Sequence, residues 1–137
     1  MLTLLTGKKG SGKTKKLIER ANEAVKTSNG NVVVIEKGLK LTYDISHRAR
    51  LVDSDAYHIN GLDALVGFIS GICAANYDVT DIFVDSTLKI TGHGPEEIEP
   101  LTKSLVKLSE SSGANIILLI SASDEELPAD VAQYVAN

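Results

Sequence analysis

Eight residues near the start of the chain combine glycines, lysines and hydroxyls at a spacing suited to holding phosphate. They match the pattern G-x-x-x-x-G-K-[ST] at every fixed position and are Gly7, Lys8, Lys9, Gly10, Ser11, Gly12, Lys13 and Thr14. In this pattern curled backbone amides bind phosphate, the lysine reaches the β- and γ-phosphates, and the last hydroxyl ligates Mg²⁺. The expected ligands are therefore a nucleoside triphosphate and Mg²⁺, with the Lys8 and Lys9 side chains either adding positive potential or simply solvated.

The residues on either side of this loop predict the elements that phosphate binding requires. The apolar residues Leu2, Leu4 and Leu5 predict a buried strand, and helical spacing of apolar residues predicts a helix over about residues 12–27. The first amides of a helix have no partner within it and lie at the positive end of its dipole, so they attract anions.

The rest of the chain alternates between buried strands and helices. Apolar runs without polar alternation predict strands covered on both faces at Val32–Ile35, Ile82–Val84 and Ile116–Ile120. One intervening helix is expected to begin at Asn60 or Asp63, and another after the prolines Pro95 and Pro100. The order predicts an α/β fold, a three-layer α/β/α sandwich with a mostly parallel sheet.

Two segments carry weaker patterns. Alternating residues in 39–45 permit a short half-exposed strand, and Leu51-Val52 permits another, within a stretch from Lys37 to Tyr57 that lacks firm periodicity. Residues 86–94 are expected to form a loop. Long unpatterned stretches in compact domains are often functional or mobile.

Composition limits the classes of protein that fit. The 137 residues predict a single domain, 1–137, and 14 basic against 18 acidic residues give a net charge of −4, which argues against nucleic-acid binding by the whole surface. The lone Cys73 excludes an internal disulfide and a multi-cysteine zinc site. No apolar run is long enough for membrane insertion and no secretory signal opens the chain, so the expected location is cytoplasmic.

Polar residues follow the predicted strands, at the edge of a parallel sheet where ligands bind. Asp85 ends one buried run and is the expected metal-side carboxylate, sharing Mg²⁺ with Thr14. Glu36 ends another and is the candidate catalytic group that orients or deprotonates the attacking water, with a solvated strand end as the equal alternative. Ser121 and Ser123 are candidates for sensing the γ-phosphate, although Ser123 to Glu126 also has capping-box spacing.

Phosphoryl transfer usually also needs an arginine, supplied by the same chain or by a partner. Arg48 and Arg50, in the weakly patterned stretch, are the candidates for this catalytic role. Arg20 lies on the first predicted helix and is expected at the surface.

The layout from Met1 to about Ser123 resembles the P-loop NTPase superfamily, on the motif Gly7–Thr14 and the run Ile82–Asp85. Within it, residues 67–71 and 76–78 resemble small bacterial stand-alone ATP-binding proteins labelled twitching-motility-ATPase-like. A Glu after the second strand is similar to the recombinase arrangement. The run Ser11-Gly12-Lys13-Thr14 also resembles thymidine kinases. That family has a zinc-bound lasso and a Glu after the metal-side Asp, whereas this chain has a single cysteine, Cys73, and has Ser86 after Asp85.

The resemblance implies an ATP- and Mg²⁺-binding protein with slow hydrolysis that depends on self-association as a homo-oligomer or on a protein partner. Two alternatives stay open. One is a nucleotide-sensing switch with negligible turnover, favoured by Ser86 where many ATPases have Glu. The other is a small-molecule kinase that uses residues 37–58 as a substrate lid.

Overall fold

The structure, a computed structural model, describes residues 1–136. Within them the strands are β1 (Leu2–Gly7), β2 (Asn31–Glu36), β3 (Arg50–Asp53), β4 (Val79–Val84) and β5 (Asn115–Ser121). The α-helices are α1 (Lys13–Thr27), α2 (Leu62–Ala75), α3 (Thr87–Thr91) and α4 (Ile98–Ser112). Short 3-10 segments follow at Pro95–Glu97, Asp124–Glu126 and Ala129–Tyr134.

The five strands form one sheet in the order β1-β5-β4-β2-β3, and every pairing is parallel. Strand β5 therefore lies between β1 and β4. Strand β1 precedes the predicted phosphate-binding loop Gly7–Thr14, called the phosphate loop below, and β4 precedes Asp85. Parallel pairing brings all five carboxyl ends to one edge of the sheet. The predicted α/β class with a parallel sheet is confirmed.

Both faces of the sheet are covered, as the unalternating apolar runs predicted. On one face the strands pack against α2 and α4 through Leu4, Ile82, Leu118, Leu65, Ile69, Leu101 and Leu105. On the other face they pack against α1 through Leu5, Val34, Phe83, Leu119, Leu17 and Ala21. Each of these side chains is at most 5% exposed. The sheet is thus the middle layer of three.

The segment between β2 and β3 contains turns and no strand at residues 39–45, so the permitted strand there is wrong, whereas the one at Leu51-Val52 is confirmed as β3. Leu41, Ile45 and Ala49 of this segment are buried in the apolar cluster under α1. Their spacing of four residues suits successive turns better than the alternation of a strand.

Other boundaries differ modestly from expectation. Residues 87–91 form α3 where a loop was predicted, because its apolar Ile90 is buried against the core. Helix α4 begins before Pro100 and tolerates it, since the proline sits in the first helical turn, where the amide has no helical acceptor. No helix within residues 1–136 has both the length and the apolarity needed to cross a bilayer.

The core can be tested by truncating one central side chain. Leu118, on β5, is 0% exposed, so Leu118→Ala should lower the free energy of unfolding by about 2–5 kcal/mol. The control Leu39→Ala removes a side chain that is 65% exposed and should change it by less than about 0.5 kcal/mol. Urea denaturation of the three proteins measures both values, and equal losses in the two variants would contradict this packing.

Candidate functional site

The phosphate loop joins the carboxyl end of β1 to the start of α1. Its backbone turns through the left-handed region at Gly10 (φ +87°) and Gly12 (φ +86°). A side chain in this conformation costs roughly 1–2 kcal/mol, which explains why glycine occupies both positions. The Ser11 amide donates to the Lys8 carbonyl at 3.1 Å, which closes the turn.

The front of α1 presents backbone amides that the helix itself does not use. The amide of Lys16 donates to the Gly12 carbonyl at 3.3 Å, so Lys13 and Thr14 precede the first residue that can donate along the helix. Amides at such a position, together with the positive end of the helix dipole, attract phosphate groups.

Lys13 lies against this loop with only 7% of its surface exposed. Its Nζ donates to the Lys8 carbonyl at 3.0 Å. Burial lowers the pKa of Lys13 from its ordinary value, and the negative charge of Asp85 partly opposes that change. The phosphate-loop lysine and the carboxylate after β4 are therefore close enough to interact electrostatically, although β5 separates their strands.

A cavity of about 630 Å³ opens at this edge of the sheet and is called the phosphate cavity below, after the predicted loop that lines it. Its walls include Lys9, Gly10, Gly12, Lys13, Thr14, Lys40, Asp85, Ser86, Lys89 and Ser121. The structure thus brings much of the predicted phosphate loop together with Asp85 and Ser121. Lys40 and Lys89 were not predicted. Each lies in a segment without a recognisable motif, and only the return of the chain to this edge brings them to the cavity.

Asp85 directly follows β4 and is 8% exposed. Its amide donates to the Ile35 carbonyl at 2.8 Å, and its Oδ2 accepts the Ser86 hydroxyl at 3.1 Å. Ser86 has left-handed angles, φ +58° and ψ +37°, which are uncommon for a residue with a side chain. This turn ends the strand and starts α3. It leaves a short hydroxyl beside Asp85.

The oxygen donors of Thr14 and Asp85 line the same cavity and suit Mg²⁺. Within residues 1–136 no group of three or more His, Cys, Asp and Glu side chains could hold a metal unaided. Mg²⁺ commonly takes only one or two protein oxygens and completes its shell with water and phosphate. The donor set therefore fits a nucleotide-bound Mg²⁺ better than a metal caged by protein.

Glu36, the candidate water-orienting residue, is fully buried at the end of β2. Its Oε1 accepts the Lys40 amide at 2.8 Å, and Oε1 and Oε2 accept the Leu41 amide at 3.3 and 3.4 Å. Burial raises the pKa of Glu36. The two amide bonds oppose that rise, and the negative charges of Asp85 and Asp53 add to it. In this conformation the carboxyl group holds the turn after β2.

Arg48 and Arg50 do not line the phosphate cavity. They line a second cavity of about 480 Å³ with Val52, Tyr57 and Phe68. Arg50 begins β3, opposite Val33 of β2, so both arginines lie toward the amino ends of the strands. The structure therefore does not bring them together with Lys13 and Asp85 in one chain, because the phosphate loop occupies the carboxyl edge.

Ser121 and Ser123, the candidates at the end of β5, lie in different surroundings. Ser121 lines the phosphate cavity. Ser123 forms the predicted capping box, its amide and hydroxyl lying 2.9 and 3.1 Å from Glu126 Oε1. The same segment meets the phosphate loop, since the Gly7 amide donates to the Ala122 carbonyl at 3.1 Å.

Comparison with known proteins shows a similarity of structure and none of sequence. No protein-family model and no curated protein matches the sequence. The structure is similar to that of the pCW3 conjugation coupling protein TcpA, solved in its monomer form with ATPγS, with a TM-score of 0.55 and 16% identity. The fold is P-loop NTPase-like. The match covers 97% of this chain but only 46% of that protein, and at this identity it shows the fold alone.

The raised pKa of Glu36 predicts a pH-dependent stability. The folded chain retains a proton that the unfolded chain loses near the ordinary value of 4.5, so this contribution is present below that pH and is lost as pH rises through the folded-state pKa. Glu36→Gln carries no charge and escapes that loss. Urea denaturation at several pH values should show the variant gaining stability relative to wild type between acidic and neutral pH. If the difference in stability between the variant and wild type does not change with pH, the raised pKa of Glu36 is contradicted.

Proposed function

We propose that residues 1–137 form a single P-loop domain that binds a nucleoside triphosphate, ATP, together with Mg²⁺. The phosphate loop Gly7–Thr14 would hold the phosphates, and Thr14 and Asp85 would be the protein's Mg²⁺ ligands. The observation that carries this proposal is the shared cavity of the loop and Asp85, next to the free front of α1. A bound Mg²⁺ would neutralise charge on the phosphate oxygens.

The cavity can also accommodate the charge of a triphosphate. Lys9, Lys13, Lys40 and Lys89 line it, and Asp85 is the carboxylate among its lining residues. Lys40 has a defined position because its amide is bonded to the buried Glu36. Cations that come from outside the loop, at Lys40 and Lys89, would favour a ligand with several phosphates. The lone Cys73 is compatible with a reducing cytoplasmic compartment.

Hydrolysis by the isolated chain should be slow. Glu36 is the candidate base, but amides of the following turn occupy its oxygens, and Arg48 and Arg50 lie at another cavity. Catalysis would require that Glu36 leave those amides and that further charge reach the site from self-association or a partner. The proposal is therefore an ATPase that depends on assembly.

A nucleotide-sensing switch is the second candidate, favoured by the same Glu36 hydrogen bonds and by Ser86 beside Asp85. Nucleotide binding would then change the conformation of the chain without hydrolysis of the nucleotide. The kinase alternative receives less support. Its substrate lid would be residues 37–58, and Leu41, Ile45 and Ala49 pack that segment into the core.

Loss of the phosphate-loop lysine tests the binding site. Lys13→Ala should weaken ATPγS binding about 10- to 100-fold, the cost of removing a hydrogen bond to a charged group. Lys16→Ala is the matched control, since Lys16 is exposed on α1 and does not line the cavity. Isothermal titration with MgCl₂ present measures both. Unchanged affinity in Lys13→Ala would refute the site.

Turnover separates the hydrolase from the switch. Phosphate release per chain should be slow in dilute protein and rise with protein concentration, and Glu36→Gln should lower it about 100-fold or more while ATPγS still binds. A time course at several protein concentrations measures this. Binding without any phosphate release at any concentration would leave the switch and exclude the hydrolase.

A further inference from the structure

A groove opens between β2, β3 and α2, beside the edge strand β3, and its residues have no part in the proposed nucleotide site. This edge groove has an apolar floor of Val33, Val52, Phe68 and Ile72 and a rim that includes Arg48, Arg50 and Tyr57. Its volume of about 480 Å³ lies in the usual range for ligand sites. None of its lining residues also lines the phosphate cavity.

The edge of β3 offers unused backbone hydrogen-bonding groups. Within residues 1–136, β3 pairs with β2 alone. The Ser54 amide donates to the Glu36 carbonyl at 2.7 Å, which fixes the alternation of the strand. Arg50 and Val52 then direct their backbone groups at β2, while Leu51 directs its N–H and C=O to the open side. A segment of extended chain can pair there.

The charge at the groove is positive and uncompensated. The ion pairs within residues 1–136 are Lys37–Asp55, His93–Glu97 and Lys103–Glu99, so neither Arg48 nor Arg50 has a carboxylate partner. Both arginines are exposed. Arg50 Nη2 donates to the Tyr57 hydroxyl at 3.1 Å, which holds its guanidinium over the rim.

The carboxylates at the other end of β3 are already engaged. Asp53 Oδ1 accepts the amides of Gly38 and Asp55, at 2.8 and 3.0 Å. Asp55 also pairs with Lys37 at 2.6 Å. Arg48 and Arg50, which have no carboxylate partner within residues 1–136, therefore lie at the mouth of an apolar groove on a chain whose net charge is −4.

We infer that the edge groove binds an extended, acidic segment of a partner protein, which adds to the sheet as a strand beside β3. An apolar side chain of that segment would enter the groove over Val52 and Phe68. A carboxylate two positions away projects to the same face and would meet Arg48 and Arg50. Main-chain bonds to Leu51 would contribute affinity, and the two side chains would set specificity.

A second copy of this chain fits the groove less well. Its acidic run Asp124–Glu126 is wound in a 3-10 turn and is tied by the Ser123 capping box, so it is not available as an extended strand. The inference does not depend on nucleotide binding, because the groove and the phosphate cavity are built from different residues.

Selection from a library of random linear peptides tests this directly, with the wild-type chain as bait. Enriched sequences should contain Asp or Glu two positions from a large apolar residue. The best peptide should bind about tenfold more weakly to Arg50→Ala and still more weakly to the double variant Arg48→Ala, Arg50→Ala, as for a lost charged hydrogen bond. Arg20→Ala, an exposed arginine on α1, is the matched control and should bind normally. All these side chains are exposed, so folding is not at risk.

Two further measurements separate strand addition from simple charge attraction. Methylating alternate backbone nitrogens of the peptide should abolish binding for one alternate set and spare the other, because only one set faces β3. Backbone amide NMR shifts should change at Leu51 and Asp53. Failure to enrich any peptide, enrichment without acidic residues, equal binding to the arginine variants, shifts at the phosphate cavity, or self-association through the groove would each overturn the inference. A single-stranded oligonucleotide that binds more tightly than the best peptide would also overturn the inference.

Discussion

The structure depends on the parallel arrangement of its five strands, which brings all their carboxyl ends to one edge. A parallel sheet must be covered on both faces, so its strands are largely apolar, and polar residues collect mainly toward the strand ends. At this edge the first turn of α1 contributes amides without helical partners. The proposed anion site would therefore be a consequence of topology as much as of the glycine-rich motif.

Glu36 shows how one buried carboxyl can connect the site to the adjacent turn. Burying an ionised group is costly unless hydrogen bonds compensate, and here the amides of Lys40 and Leu41 supply them. The same bonds fix Lys40 at the wall of the phosphate cavity. A catalytic role for Glu36 and a well-placed Lys40 would therefore compete, which is the physical reason for the slow turnover proposed for the isolated chain.

Sequence patterns predicted the elements whose signals are local. The phosphate-loop motif, the long apolar strands and the Ser123 capping box were all recognisable because a few neighbouring residues specify them. The strand expected at residues 39–45 was wrong, since Leu41, Ile45 and Ala49 turn toward α1 under tertiary packing.

Nonlocal features of the site were out of reach of sequence reasoning. Lys40 and Lys89 reach the cavity only through the way the chain returns to the sheet edge. Arg48 and Arg50 carried the right chemistry for phosphoryl transfer, but the direction of β3 places them at its amino end. Neither fact is encoded in the spacing of neighbouring residues.

The most direct test of the central claim is a crystal structure of the chain with ATPγS and Mg²⁺. The account predicts terminal phosphates bound by the amides of residues 10–14, with Thr14 and Asp85 on the same side of the metal. Phosphates bound elsewhere, or Asp85 directed away from Thr14 and the nucleotide, would contradict it.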